Sequence, residues 1–160
     1  MPRHVGAIPK GYHSLTPFLC VRDAASALKF HKKVFGAIEL ERHDEMGAHA
    51  KAPARKISLA HIKIDDSPMM ISDETSHHVR AQAQKDRARS PHSLRSSSAS
   101  VYAYLPDVDS VFERAVASGA RVIRPLRDAD WGDRMGEIED PFGHIWCIAT
   151  HKRDVPIDEH

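Results

Sequence analysis

Histidine is the side chain whose ordinary pKa lies nearest neutral pH, and this chain of 160 residues carries 12 of them. His13, His61 and His144, with Asp73 and Glu137, are among the groups able to ligate a metal, but no spacing among them forms a ligand signature. There is also no His-Glu-x-x-His, no Gly-rich phosphate loop and no Gly-x-Ser-x-Gly elbow. His61 lies in the alternating stretch Ile57–Ile64 and should share a face with Leu59. A single His on a strand is favoured as a hydrogen-bonded lining residue over a ligand. Pairing His61 with Glu137 for acid–base work is the alternative chemistry. Cys147 has His144 and His151 nearby, but offsets of three and four on a strand do not put side chains side by side, so a buried, inert thiol is the preferred reading. In the polar loop Asp128–Arg134, Trp131 could stack on a planar or cationic ligand and Arg134 could pair an anionic group. Their bland readings are a Trp that pins its own loop and an Arg bridging to Asp133 or Glu137.

The elements that must position these groups are written twice, about 84 residues apart. Val21 to Ala37 and Leu105 to Ala120 each run from an apolar strand to an Asp that can cap a helix, with Ser three residues later. An amphipathic helix follows, Gly-Ala stops it, and a new strand begins. Residues 1–13 read as an irregular lead-in and 14–73 as a first module, with strands near 15–21, 38–42, 56–64 and 68–73. Residues 100–151 read as a second, with a helix over 107–118 and strands near 100–105, 121–124, 134–139 and 144–150. Each is β-α-β-β-β. Between them, 74–99 is basic and Ser-rich with little apolar content, so it reads as a solvated linker; 152–160 is a charged tail.

The bulk numbers exclude several classes. A net charge of +1 supplies no drive toward nucleic acid or an anionic membrane, and the basic run of the linker has no interleaved aromatic to stack a base. No apolar run approaches a spanning helix, and Met1–Gly6 lacks the apolar core of a signal peptide. Cys20 and Cys147 read as reduced thiols, and the expected location is the cytoplasm.

Two β-α-β-β-β modules with these strings resemble the vicinal oxygen chelate superfamily of glyoxalase I, extradiol dioxygenases and the fosfomycin- and bleomycin-resistance proteins. The resemblance rests on Leu19-Cys20-Val21-Arg22-Asp23, Phe35-Gly36-Ala37 and Met69-Met70-Ile71-Ser72-Asp73-Glu74 in the first half. In the second it rests on Asp107-Val108-Asp109, Gly119-Ala120, Trp131-Gly132-Asp133-Arg134, Asp140-Pro141-Phe142-Gly143-His144-Ile145-Trp146 and Ala149-Thr150-His151. It is closest to the glyoxalase/bleomycin-resistance-like branch. It implies an α+β fold in which the two modules form a curved mixed sheet around a cavity, an incomplete barrel, and it implies a homodimer. In metal-dependent relatives, four inward-facing ligands hold a divalent ion; carried across, those positions fall on Thr16, Ile71, Ser100 and Cys147. No full ligand set stands there, so no metal and no cofactor are expected.

Strand alternation together with the resemblance assigns the inward face to Thr16, Phe18, Leu59, His61, Ile71, Asp73, Tyr102, Tyr104, Trp131, Arg134, Glu137 and Cys147. Aromatic surface with a few polar groups is the composition of a small-molecule pocket. The expected function is therefore to bind and sequester a small organic molecule, an antibiotic for instance, as a homodimer with no nucleic-acid or membrane partner. The alternative is a lyase, isomerase or dioxygenase using a relocated metal or the His61/Glu137 pair.

Overall fold

The computed structural model describes residues 5–44, 56–74 and 89–156. The first module runs β1 (Phe18–Val21), α1 (Ala24–Phe35), β2 (Ile38–Asp44), β3 (Ile57–Ile64) and β4 (Ser67–Asp73). A short α2 (Pro91–Leu94) precedes the second: β5 (Ser100–Tyr104), α3 (Val108–Ala117), β6 (Arg121–Asp128), β7 (Asp133–Glu139) and β8 (Ile145–His151). The strands form two four-stranded mixed sheets, ordered β1-β4-β3-β2 and β5-β8-β7-β6, and neither closes into a barrel. This is the α+β arrangement of paired β-α-β-β-β modules read from the duplication.

The helix ends follow from the repeated residues. Asp23 and Asp107 accept the backbone N–H of Ser26 and Ser110, satisfying donors that the first turn leaves open. Gly36 ends α1 at φ 65°, a conformation that costs glycine nothing. Pro125 lies in β6, an edge strand, within an irregular stretch of pairing between Arg124 and Arg127; only there can a residue without an N–H be accommodated.

One core joins the modules. Leu28, Val34 and Phe35 of α1 share a cluster with Val108, Val111 and Ala115 of α3 and with Ile138, Trp146 and Ile148 of the second sheet. The rings of Phe35 and Trp146 sit 4.7 Å apart. Arg114 of α3 donates from Nε and Nη2 to the Val34 carbonyl at 3.2 and 3.0 Å, pairing a cation with the last turn of α1. Gly136 lets the Phe112 ring lie against β7: a Cβ there would come within 2.7 Å of Phe112 Cε2. Each sheet thus lays one face on the shared core and turns the other away from it.

The segment read as linker is partly structured. Residues 75–88, including His77, His78, Arg80, Lys85 and Arg87, lie outside the described residues. Beyond them Ser90 caps α2, and Ser90 and Ser93 both donate to Glu74 Oε2, at 2.7 and 2.6 Å, tying α2 to the end of β4. Among the described residues, no helix is long and apolar enough to cross a membrane.

Candidate functional site

Which side chains face away from the core depends on how the strands pair. The two-residue turn at Asp65-Asp66, with Asp65 at φ 50°, pairs Ile64 with Ser67 and so sets Ala60 opposite Ile71 and His61 opposite Met70. Leu59 and His61 then stand on the open face with Phe18, which is 49% exposed, whereas Ala60, Ile62 and Ile71 are fully buried on the helix side. Ile71 therefore leaves the expected inward set. Asp73 leaves it too: its two carboxylate oxygens accept the N–H of Ala24 at 2.8 Å and of Ile57 at 2.7 Å, fastening the start of α1 to the sheet. Thr16 lies just ahead of β1, half-buried. His61 is a lining residue with a partner: its Nδ1 is 2.6 Å from the hydroxyl of Tyr12, which reaches over from the lead-in.

In the second sheet, Tyr102, Tyr104, Glu137 and Cys147 share the open face, since Tyr102 and Glu137 both stand opposite Cys147. Arg134 does not. It is an odd number of residues from Glu137 and so projects to the other face. There its guanidinium grips Asp109 of α3 at 2.8–3.0 Å and reaches Asp128 at 3.4 Å, neither of them the partner expected. Both thiols are held protonated: burial, and then the charges of Glu74 and Asp73, push Cys20 up to about 11, and burial raises Cys147. Glu137 pairs with Arg124 of the neighbouring strand at 3.5 Å and His61 with Tyr12 of the lead-in, so each already has a partner and the two do not face one another as a pair. Among the described residues, no three His, Cys, Asp or Glu side chains gather as a metal would require.

What the second sheet does assemble is centred on Asp133, at the start of β7 and only 2% exposed. Its Oδ2 accepts the hydroxyls of Tyr102 at 2.8 Å and Tyr104 at 3.1 Å and the indole N–H of Trp131 at 3.1 Å. Its Oδ1 meets His151 Nδ1 at 2.8 Å. Burial by itself would raise this carboxyl, but the bonds from His151, Tyr102, Tyr104 and Trp131 outweigh it and keep Asp133 ionised, below its ordinary value. The same contact raises His151, with Asp154 as a second cause. Tyr102 is pushed up to about 12, by burial first and then by Asp133.

The consequence is a set of rings fixed at their polar ends and open along their faces. Tyr102 is 43% exposed, Tyr104 60% and Trp131 50%. The tyrosine rings lie 5.2 Å apart, and the Arg127 guanidinium sits 5.4 Å from the centre of the Trp131 ring. The Trp131 loop is itself braced: Gly132, at φ 98°, accepts the N–H groups of Lys152 and Arg153, and a Cβ there would collide with the Arg153 carbonyl. A cavity of about 570 Å³ runs along β5 beside the tyrosines, lined also by His13, Leu15, Pro17, Met69 and Trp146 and not by Trp131 or Asp133. That volume suits a small organic molecule. Asp133, His151 and Tyr12 were absent from the expected set, although counting by twos back from Glu137 and on from Cys147 reaches Asp133 and His151.

Comparison with known proteins bears on this arrangement. The model of the Glyoxalase/Bleomycin resistance protein/Dioxygenase superfamily matches residues 11–148. An uncharacterized protein of Mycobacterium bovis is 36% identical over 146 residues, 91% of this chain and 88% of its own. The crystal structure of TioX from Micromonospora sp. ML1 superposes with a TM-score of 0.62 at 24% identity, over 87% of this chain and 98% of that one. The fosfomycin resistance protein FosX from Mesorhizobium loti superposes with a TM-score of 0.54 at 18% identity, over 86% of this chain and 90% of that one. At such identities the two structures speak for the fold alone.

Proposed function

The chain belongs to the glyoxalase/bleomycin resistance protein/dioxygenase superfamily, and from that premise we propose that it binds a small, planar organic molecule, holding it without chemical change against the open face of the second sheet. The observation that supports this is the ring set of Tyr102, Tyr104 and Trp131, all hydrogen-bonded to one buried carboxylate. Aromatic faces fixed in this way lose little freedom when a ligand stacks on them, so more of the contact energy survives as affinity. A metal-dependent or His61/Glu137 reaction has no comparable support, because both of those side chains are engaged elsewhere.

Fluorescence tests the proposal directly, since Trp131 is half-exposed and Trp146 is 1% exposed. Titration with a planar aromatic probe such as 2-naphthoate is expected to quench and shift the exposed component. Trp131→Phe should abolish the signal change and weaken binding about tenfold, the scale of one lost stacking contact. An unchanged emission spectrum at millimolar probe would refute the assignment.

The open faces also carry exposed apolar residues, among them Phe18, Ile38 and Tyr102. We infer that two copies pair through these exposed faces, as the family resemblance implies. Sedimentation velocity is expected to give a dimer at micromolar concentration; a monomer there would dismiss the pairing.

A further inference from the structure

His151 has two ring nitrogens with different surroundings. Nδ1 is bound to the buried Asp133, which fixes the ring and its charge. Nε2 is 2.9 Å from the carboxylate of Asp154, in the segment following β8, whose side chain is fully exposed. An exposed ion pair of this kind is held weakly and gives way to a better partner. The structure therefore shows an imidazole fixed on one side and, on the other, a carboxylate that solvent can replace.

The His151 imidazole sits beside the ring set of Tyr102, Tyr104 and Trp131 (the aromatic cleft), because it and Trp131 bind the two oxygens of one group, Asp133. Positive charge near the rings comes from His151, from Arg127 over Trp131 and from Arg153, whose guanidinium reaches the Asp130 carbonyl of the same loop. The charges facing it are Asp133, which is buried and saturated by four donors, and Asp154; the tyrosine hydroxyls of β5 also point into Asp133. Arg134, the residue the sequence suggested as the partner of an anionic ligand, is engaged by α3 on the far face.

We propose that the ligand is an aromatic carboxylic acid, its ring lying on Trp131 and the tyrosines and its carboxylate displacing Asp154 from His151 Nε2. The inference rests on the aromatic-cleft reading and adds the charge of the ligand and the residue that reads it. Asp154 then acts as an internal place-holder, satisfying the imidazole while the cleft is empty and competing with the ligand as it enters.

Calorimetric titration with 2-naphthoate and with neutral 2-naphthamide, which share one ring system, tests it. The native protein should prefer the acid about threefold to tenfold, the range of one exposed charge pair. Asp154→Ala, at a fully exposed position, should tighten 2-naphthoate by a similar factor and leave 2-naphthamide unchanged. His151→Gln should erase the preference, so that acid and amide bind equally, while retained 2-naphthamide binding by Asp154→Ala shows that the cleft is intact. The preference should be present at about pH 6, below the ordinary histidine value, and be lost as the pH rises through the raised value at which His151 gives up its proton. Equal affinity for acid and amide, unaltered by Asp154→Ala, would overturn the inference and leave the cleft standing. Failure of both probes to bind would remove the aromatic cleft itself, and the charge preference with it.

Discussion

Replacing Asp133 by Ala is expected to cost more binding than any single aromatic substitution, because it releases Tyr102, Tyr104, Trp131 and His151 together. The donors left behind are not stranded: Tyr102, Tyr104 and Trp131 are 43–60% exposed and can turn to water. The loss of folding stability should accordingly be moderate, on the order of 2 kcal/mol, since hydrogen bonds to a charged group are worth roughly 1.5–3 kcal/mol each and rehydration returns most of that. Affinity should suffer more. Three rings that were fixed must now be ordered by the ligand, and a loss of about a hundredfold for 2-naphthoate is expected. Steady-state anisotropy of Trp131 should fall in the free protein, and an NMR titration should show His151 moving back toward its ordinary pKa once the Asp133 carboxylate is gone. Asp133→Asn, which keeps an acceptor but not the charge, should fall between. Rings that stay ordered and bind as before would show that Asp133 does not organise the cleft.

His31→Leu is expected to produce the largest change in acid stability. His31 lies on α1 with no exposed surface, between Phe30, Phe35 and Trp146, and neither ring nitrogen has a hydrogen-bond partner among the described residues. Burial, reinforced by the nearby His144, lowers its pKa from 6.5 to about 3. The folded protein thus keeps the ring neutral in a pH range where the unfolded chain would protonate it. Protons then favour the unfolded state, so stability is fully present above about pH 6.5 and falls as pH drops toward 3, by roughly 1.4 kcal/mol per unit. Leu carries no proton and no unsatisfied nitrogen, so its variant should melt at or above the native temperature at neutral pH. It should also lose much of the steep decline between pH 6 and 4. Parallel thermal melts across that range measure it; curves that remain parallel would show that His31 is not what makes the fold acid-sensitive. Because His31 lies where α1 meets Trp146 of the second sheet, the acid limb should report the parting of the two modules.

Local rules carried the architecture a long way. The Asp-x-x-Ser caps, the Gly-Ala stops and the alternating strands each fall within a few residues of the observed ends, because caps and turns are settled by neighbours in sequence. The middle of the chain was legible in composition only. The sequence offered no sign that Ser90 and Ser93 would find Glu74 across an intervening segment, since that contact is a matter of distance in space.

The candidate site divides along the same line. Within one strand, parity is a property of the sequence: Tyr102 and Tyr104 had to project together, and Arg134 could not share a face with Glu137. Parity between strands is not. Whether Ile71 joins His61 on the open face depends on whether the turn before it takes two residues or three, and a one-residue shift moves every side chain of the strand to the other face. The pairing of Ile64 with Ser67 settles this against Ile71 and Asp73, and leaves Asp73 to hold the start of α1. The sequence by itself determined the two modules, their helices and the presence of an aromatic-rich face. Only the tertiary structure decided that Asp133 lies beneath that face with His151 beside it, because four side chains from β5, β8 and the Trp131 loop meet at the β7 carboxylate only after the sheet has paired.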